Sequence, residues 1–349
     1  MVKSQRDSNI ELLRVISMVM IVFYHFMARL SELNSPEKTQ TIVNSLIPVV
    51  HIGVICFVLI SGYWGIKFSI KGFLRLFLYC SFYSIAIYTI SAIINPDLFS
   101  LKNFIKSIIP YQWWFIPVYL CLYLLSPLIN IPLKTESAKT KLFFIIILLV
   151  ISFVVGHFVP SLSDGKNPLN FVLIYYLGNF LRTEVKLPSW NVKKLFYLYL
   201  ICNVLLFVAI FFSTLYIPKI AHIIIQFFYP YNSAGIMINS ILFFLIFTKL
   251  KFNSRVINWL SSSSLAVYLL HENNYIIPYL SSCIDQLQNS TTNSVVFISI
   301  LFVFAIIIFI VAVLIDKVIS PLFDILFNFV INSKLFAKLN NKVQDVLPE

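Results

Sequence analysis

The hydrophobic positions of this chain come in long blocks. Apolar runs of about 20 residues, the length a helix needs to cross about 30 Å of hydrocarbon, fall near Ile10–Leu30, Ile42–Ile66, Phe73–Ile94, Trp113–Ile131, Leu142–Val159, Leu169–Leu181, Leu195–Tyr216, Ile220–Phe247, Val256–Leu280 and Val295–Ile315. The sixth is short, and the eighth is interrupted at Tyr229-Pro230-Tyr231-Asn232. Turn chemistry separates runs at Asn95-Pro96-Asp97, Ser163-Asp164-Gly165-Lys166-Asn167-Pro168 and Lys186-Leu187-Pro188-Ser189. The pattern predicts an all-α, polytopic integral membrane protein of about ten transmembrane helices, with no water-soluble domain between them. The membrane domain is expected over 1–320. Beyond Pro321, Phe and Leu mix with Asp324, Lys334, Lys338 and Lys342, which predicts a cytoplasmic amphipathic tail over 321–349 at the membrane surface.

Composition sharpens this. Of 349 residues, 59% are apolar and 11% charged, against about 25% charged in an ordinary soluble domain, so a soluble fold is excluded. The net charge of +12 would point to nucleic acid in a soluble protein. Topology removes that reading. With the N-terminus inside, 20 of the 26 Lys and Arg fall on inner segments, and the outer ones keep only Arg29, Lys38, Lys102, Lys106, Lys166 and Lys219. The excess is an orientation signal: both termini are expected in the cytoplasm, the bilayer is the partner, and no nucleic acid is expected. The first run carries Glu11, Arg14 and His25 with no small-residue cleavage site after it, so it is read as a retained span. Five scattered cysteines without a C-x-x-C pair read as packing residues.

Titratable side chains at membrane depth cost a few kcal/mol each, so each needs a reason. Arg14 and His25 are eleven residues apart, close to three helical turns, which puts both on one face roughly 16 Å apart along the axis. Glu11 shares that face and can neutralise Arg14. By residue count from the nearest inner charges, His51 and His271 come to about the depth of His25, and three imidazoles at one level suggest a polar cavity. No metal is expected there, because no carboxylate or thiolate has ligand-like spacing, and Glu272 is expected on a different helix face from His271. The Ser61-Gly62 pair lets backbones approach closely. Lys67, Lys71 and Arg75, at i, i+4 and i+8, form a cationic stripe suited to phosphates or simply an inner basic loop. Trp113-Trp114 reads as an aromatic belt at the outer surface.

Four segments carry a resemblance: Glu11-Leu-Leu-Arg14 with His25; Phe57-x3-Ser61-Gly62-Tyr63 with Arg75; Trp114-Phe-Ile-Pro-Val-Tyr119-x3-Tyr123-x2-Ser126-Pro127; and Ser263-Ser264-x3-Tyr268-Leu-Leu-His271. In this order the chain resembles the acyltransferase-3 family of integral membrane acyltransferases over nearly its whole length. The resemblance implies a multi-pass enzyme of the inner (cytoplasmic) membrane. It would be an O-acyltransferase moving an acyl group, usually acetyl, from cytoplasmic acyl-CoA to a hydroxyl of a cell-envelope carbohydrate or lipid-linked glycan. It implies no tightly bound cofactor, with acetyl-CoA as co-substrate.

On that basis the expected catalytic residues are His25, Arg14, Glu11 and His271, with His25 as general base or acyl carrier. The donor is expected to meet Arg14, Lys71, Arg75, Ser61, Gly62 and Tyr63, and the acceptor Trp113, Trp114, Tyr268, Glu272 and His51. One departure is Ile55, where many members carry an acidic residue; Glu272 or Glu11 substitutes only if folding brings it to His25. The competing classes are a secondary transporter, for which no internal repeat of the Arg14–His25 span is seen, and a glycan flippase or polymerase.

Overall fold

The computed structural model describes residues 7–30, 33, 35–159, 164–185 and 191–344. The predicted turns at Asn95–Asp97 and from Asp164 to Pro168 fall between helices, whereas Ser163 and the expected turn at Lys186–Ser189 lie outside the described residues. In chain order the helices are α1 (Ser8–Arg29), α2 (Glu37–Val50), α3 (Gly53–Trp64), α4 (Ile70–Ile94), α5 (Leu101–Ser107), α6 (Phe115–Thr135), α7 (Ala138–Val150), α8 (Gly156–Phe158), α9 (Pro168–Thr183), α10 (Val192–Tyr216), α11 (Pro218–Phe228), α12 (Ala234–Lys249), α13 (Arg255–Ser261), α14 (Ser264–His271), α15 (Ile277–Asn289), α16 (Ser294–Ile331) and α17 (Lys334–Gln344). No strand occurs among the described residues.

Six helical stretches are long and apolar enough to cross a membrane: α1, α2 with α3, α4, α6, α10 and α16. The other apolar runs fold as shorter or broken helices. α10 and α16 turn large apolar side chains outward, among them Ile201, Val204, Leu205 and Val208 on α10 and Val303, Ile307, Ile310 and Leu314 on α16. Water would not tolerate such stripes, and lipid accepts them without cost. α1 is the hub, packed against α2, α3, α12, α13, α14 and α16.

The breaks have local causes. In the second run, Pro48 cannot donate to the Asn44 carbonyl. Tyr229 takes that carbonyl with its hydroxyl and offers its own backbone oxygen to His51 Nδ1 at 2.8 Å. The span expected to be continuous over Ile42–Ile66 therefore divides at His51-Ile52 into α2 and α3. The interruption read at Tyr229–Asn232 separates α11 from α12.

The ninth run, expected as one span, is instead three short helices. The Ser262 hydroxyl bonds back to the Trp259 carbonyl, competing with the helix ladder, and the Ser261 hydroxyl donates out of the helix to Glu11. After His271, Asn273 Oδ1 accepts from the Tyr275 amide at 2.9 Å and closes a turn. α16 runs on through Pro321 to Ile331, about 57 Å at 1.5 Å per residue. Its buried Asp316 accepts from Tyr79 and Tyr83 at 2.5 and 2.7 Å, tying it to α4.

α3 and α9 cross with their backbones in contact. A Cβ on Gly178 would sit 2.5 Å from the Leu59 carbonyl oxygen, and one on Gly62 would run into the Tyr175 carbonyl. Gly62→Val should therefore part the two helices and destabilise the fold by about 1–3 kcal/mol, read as a lower unfolding midpoint in detergent. An unchanged midpoint would show that the crossing is not close.

Candidate functional site

α1 builds the site. Its first turn is fixed by Ser8, whose Oγ donates to Asn258 Oδ1 at 2.9 Å, and by Asn9, whose Nδ2 donates to the Phe247 carbonyl at 2.9 Å. Glu11, 5% exposed, accepts from the Ser261 hydroxyl and sits 3.5 Å from Arg14 Nη1. This single long contact leaves most of the Arg14 donors for a ligand, and Arg14 Nε is itself buried without a partner.

One cavity of about 340 Å³ runs along the same face of α1, with Arg14 and His25 both on its wall. Met18, Ile21, Phe57, Phe115 and Leu265 make the walls apolar, while Ser61, Tyr119, Ser264 and Tyr268 supply hydroxyls. Ser61 Oγ pairs with Tyr119 Oη at 2.9 Å. Arg14 and His25 thus share one largely apolar space.

At the far end of α1 three titratable side chains meet. His25 Nδ1 lies 2.9 Å from His271 Nε2, and His271 Nδ1 lies 2.6 Å from the Val267 carbonyl. A carbonyl only accepts, so the proton of neutral His271 is on Nδ1 and its Nε2 carries a lone pair. His25 must then donate from Nδ1. The chain of bonds leaves His25 Nε2 as the unprotonated nitrogen on a side chain that lines the cavity.

Glu272 corrects an expectation. Predicted on a different face from His271, it caps α14 with its amide bonded to the Tyr268 carbonyl at 3.3 Å, and from there its side chain brings Oε1 within 3.5 Å of His25 Nδ1. The carboxylate that Ile55 fails to supply is therefore present. Arg29, one helical turn beyond His25 and buried, binds Glu272 through its guanidinium. Counted from sequence as an outer loop charge, Arg29 was missed as a site residue; its i, i+4 spacing from His25 was the available signal.

The spacing argument against a metal also falls, since His25, His271 and Glu272 bring ligand-type atoms within 4.8 Å of one another. Two features favour hydrogen bonding over ligation. The nitrogens stand at hydrogen-bond distance, and a guanidinium already occupies the carboxylate.

The remaining expected residues divide. Tyr268 and Trp114 line the cavity, and Ser61 does as well. Trp113 is 1% exposed and Trp114 half-buried against Phe171 and Tyr231, so the pair is no surface belt: the chain folds inward just before α6. His51 lies between two tyrosine rings, stacked on Tyr24 at 4.3 Å and tilted against Tyr231 at 4.0 Å. Gly62 is spent on the α3–α9 crossing, and Tyr63 gives its carbonyl to Arg182 at 2.9 Å. Arg75 pairs with Asp324 at 2.6 Å over the Phe327 ring, and Lys71 is exposed on the same helix. Neither lines the cavity.

A family model described as an acyltransferase domain, of the acyltransferase-3 type, matches residues 7–315. The chain belongs to the acyltransferase-3 family. No curated protein and no solved structure matches it. The matched range of this acyltransferase takes in every cavity residue named above, Arg14 and His25 included.

Two measurements check this geometry. Glu272→Ala strands the buried Arg29 guanidinium and should cost the acyltransferase about 3–5 kcal/mol in chemical unfolding, while Arg29→Ala with Glu272→Ala should cost less than that single change. Additive losses would mean the two side chains are not coupled. Nitrogen NMR of histidine-labelled protein should find His25 protonated at Nδ1 and bare at Nε2; the opposite tautomer would refute the bonded chain.

Proposed function

We propose that this membrane acyltransferase moves an acyl group, most simply acetyl, from cytoplasmic acyl-CoA to a hydroxyl of a cell-envelope carbohydrate. The observation that carries the reading is the single cavity with a cation at one end and a histidine base at the other. A CoA thioester is a polyanionic head on a long thin arm. Arg14, with most of its donors free, suits the phosphates, and an apolar channel suits the arm. The acyl carbon then reaches the depth of His25.

In this reading His25 Nε2 takes the proton of the acceptor hydroxyl as its oxygen attacks the thioester carbonyl. The C–S bond then breaks, and the departing sulfur takes the proton back from His25. The same lone pair suits an acyl-imidazole route, in which His25 bonds the acyl carbon first. His271 holds the proton on Nδ1, and the Glu272 carboxylate 3.5 Å away stabilises the imidazolium that forms. The Ser61–Tyr119 pair and Tyr268 offer hydroxyl donors toward the carbonyl oxygen.

The orientation that fits is N-terminus and C-terminus inside, in the cytoplasmic membrane. The broken helices then complete about ten crossings, and the donor enters beside Arg14. This orientation follows from the distribution of Lys and Arg and puts His25 toward the outer half.

With labelled acetyl-CoA and membranes containing the protein, His25→Gln should lower turnover by about 10²–10⁴-fold, the usual worth of a general base. Arg14→Ala should raise the KM for acetyl-CoA about 10- to 100-fold, as expected for a lost charged hydrogen bond. Undiminished transfer by the His25 variant would end the assignment, and an unchanged donor KM would remove Arg14 from the phosphate role.

A further inference from the structure

The Arg14 end of the cavity meets a run of four serines, Ser261 to Ser264. α14 ends at His271, which meets His25, and α1 reaches His25 from Arg14, so the start of α14 stands toward Arg14. Ser261, Ser262 and Ser264 line the cavity. Ser261 and Ser264 are buried and Ser262 is exposed, which makes Ser262 the rim.

Two cations attach to this run at separate points. Arg14 is tied to Ser261 through Glu11, whose carboxylate meets both. Lys317, on α16, donates from Nζ to Ser262 Oγ at 2.6 Å and stands over the Trp259 ring at 5.1 Å. An ammonium has three donors, so this one bond leaves two for a ligand. No carboxylate pairs with Lys317 among the described residues, and its neighbour Asp316 is taken by Tyr79 and Tyr83. Lys317 lies beyond residue 315, where the family match ends, so family membership assigns it no role.

The start of α14 is also short of partners. Val267 is the first residue of this helix whose amide reaches a carbonyl, that of Ser263. Ser264, 5% exposed, has a hydroxyl with no partner, and Arg14 Nε has none either. Unpaired N–H groups at a helix N-terminus favour an anion, and here a free hydroxyl and a guanidinium face the same space.

We propose that Lys317 reads the nucleotide end of the donor. Arg14 and the start of α14 hold the phosphate joined to the pantetheine arm, and Lys317 holds a phosphate further out at the rim. The inference rests on the acyl-CoA reading for the identity of the ligand. Arg14 alone would accept any phosphopantetheine thioester. A second cation at the rim favours a thioester whose phosphates continue past the arm, and Arg75, spent on Asp324, does not supply it.

The test uses the full chain in detergent and the acetyl thioesters of CoA and of 4′-phosphopantetheine, which keeps only the phosphate on the arm. Lys317→Gln retains a donor for Ser262 and removes the charge. It should raise the KM for acetyl-CoA about 10-fold, the worth of a charged hydrogen bond, and leave the KM for the phosphopantetheine thioester unchanged. Lys317→Arg should keep the acetyl-CoA value within about twofold of wild type, since the charge remains, whereas Arg14→Ala should raise the KM for both donors. An unchanged acetyl-CoA KM in Lys317→Gln, or an equal rise for both donors, overturns the inference and leaves the transfer reading standing. Equilibrium binding of unacylated CoA separates the two. Binding that Lys317→Gln weakens about 10-fold, with no acetyl transfer by the wild type, upholds the seat and refutes the transfer reading; no binding of CoA by the wild type overturns the seat.

Discussion

A guanidinium removed from water must meet a negative charge, and here Arg29 meets Glu272. The pair fixes more than itself. Arg29 is on α1 and Glu272 just after α14, so the ion pair clamps together the two helices that carry His25 and His271. Their imidazoles are thereby held at 2.9 Å, and the Val267 carbonyl at the other end decides which nitrogen carries each proton. The tautomer of His25, on which any base or nucleophile chemistry depends, is set by a backbone oxygen two bonds removed from it.

The opposite end of α1 is arranged on a different principle. There the carboxylate of Glu11 is engaged by the Ser261 hydroxyl, and Arg14 approaches it only at 3.5 Å. Glu11 therefore keeps Arg14 in place without neutralising it at close range. A strongly paired guanidinium would have little left for an anion; Arg75, bound to Asp324 at 2.6 Å and covered by aromatic rings, is the contrasting case in this chain. The two arginines differ in how fully they are already satisfied.

Periodicity made α1 legible, because the eleven-residue interval between Arg14 and His25 survives in any straight helix. The apolar runs likewise became helices nearly everywhere. What could not be read was register across a break. The placement of Glu272 followed from a helical wheel, which counts angles about the axis and not the reach of a long side chain: from the cap of α14 it still comes within 3.5 Å of His25. Trp113 and Trp114 precede α6 in an irregular segment whose direction the alternation of residues does not encode. Arg29 was hidden by loop-counting, which treats every basic residue near a span end as a surface charge. Asp316 was hidden by position, an acidic residue just beyond the last run whose tyrosine partners are more than 230 residues away in sequence.

The breaks themselves carry the last step of the argument. Irregular backbone within a bilayer leaves amides and carbonyls unpaired, and it persists only where protein surrounds it or a polar cavity receives it. In this chain the interruptions converge. His51 at the α2–α3 break packs against Tyr231 from the α11–α12 break, Tyr231 packs on Trp114 before α6 at 5.3 Å, and Gln112 of that segment accepts from the backbone amide of Asn274 after α14. Four broken places thus form one connected wall around His25 and Glu272, while the regular helices α10 and α16 present plain apolar surfaces outward. A fold that needed only to span a membrane would have no reason to gather its irregular segments. Gathering them supplies, in one location, the hydroxyls, amides and aromatic edges that a straight helix keeps engaged or out of reach.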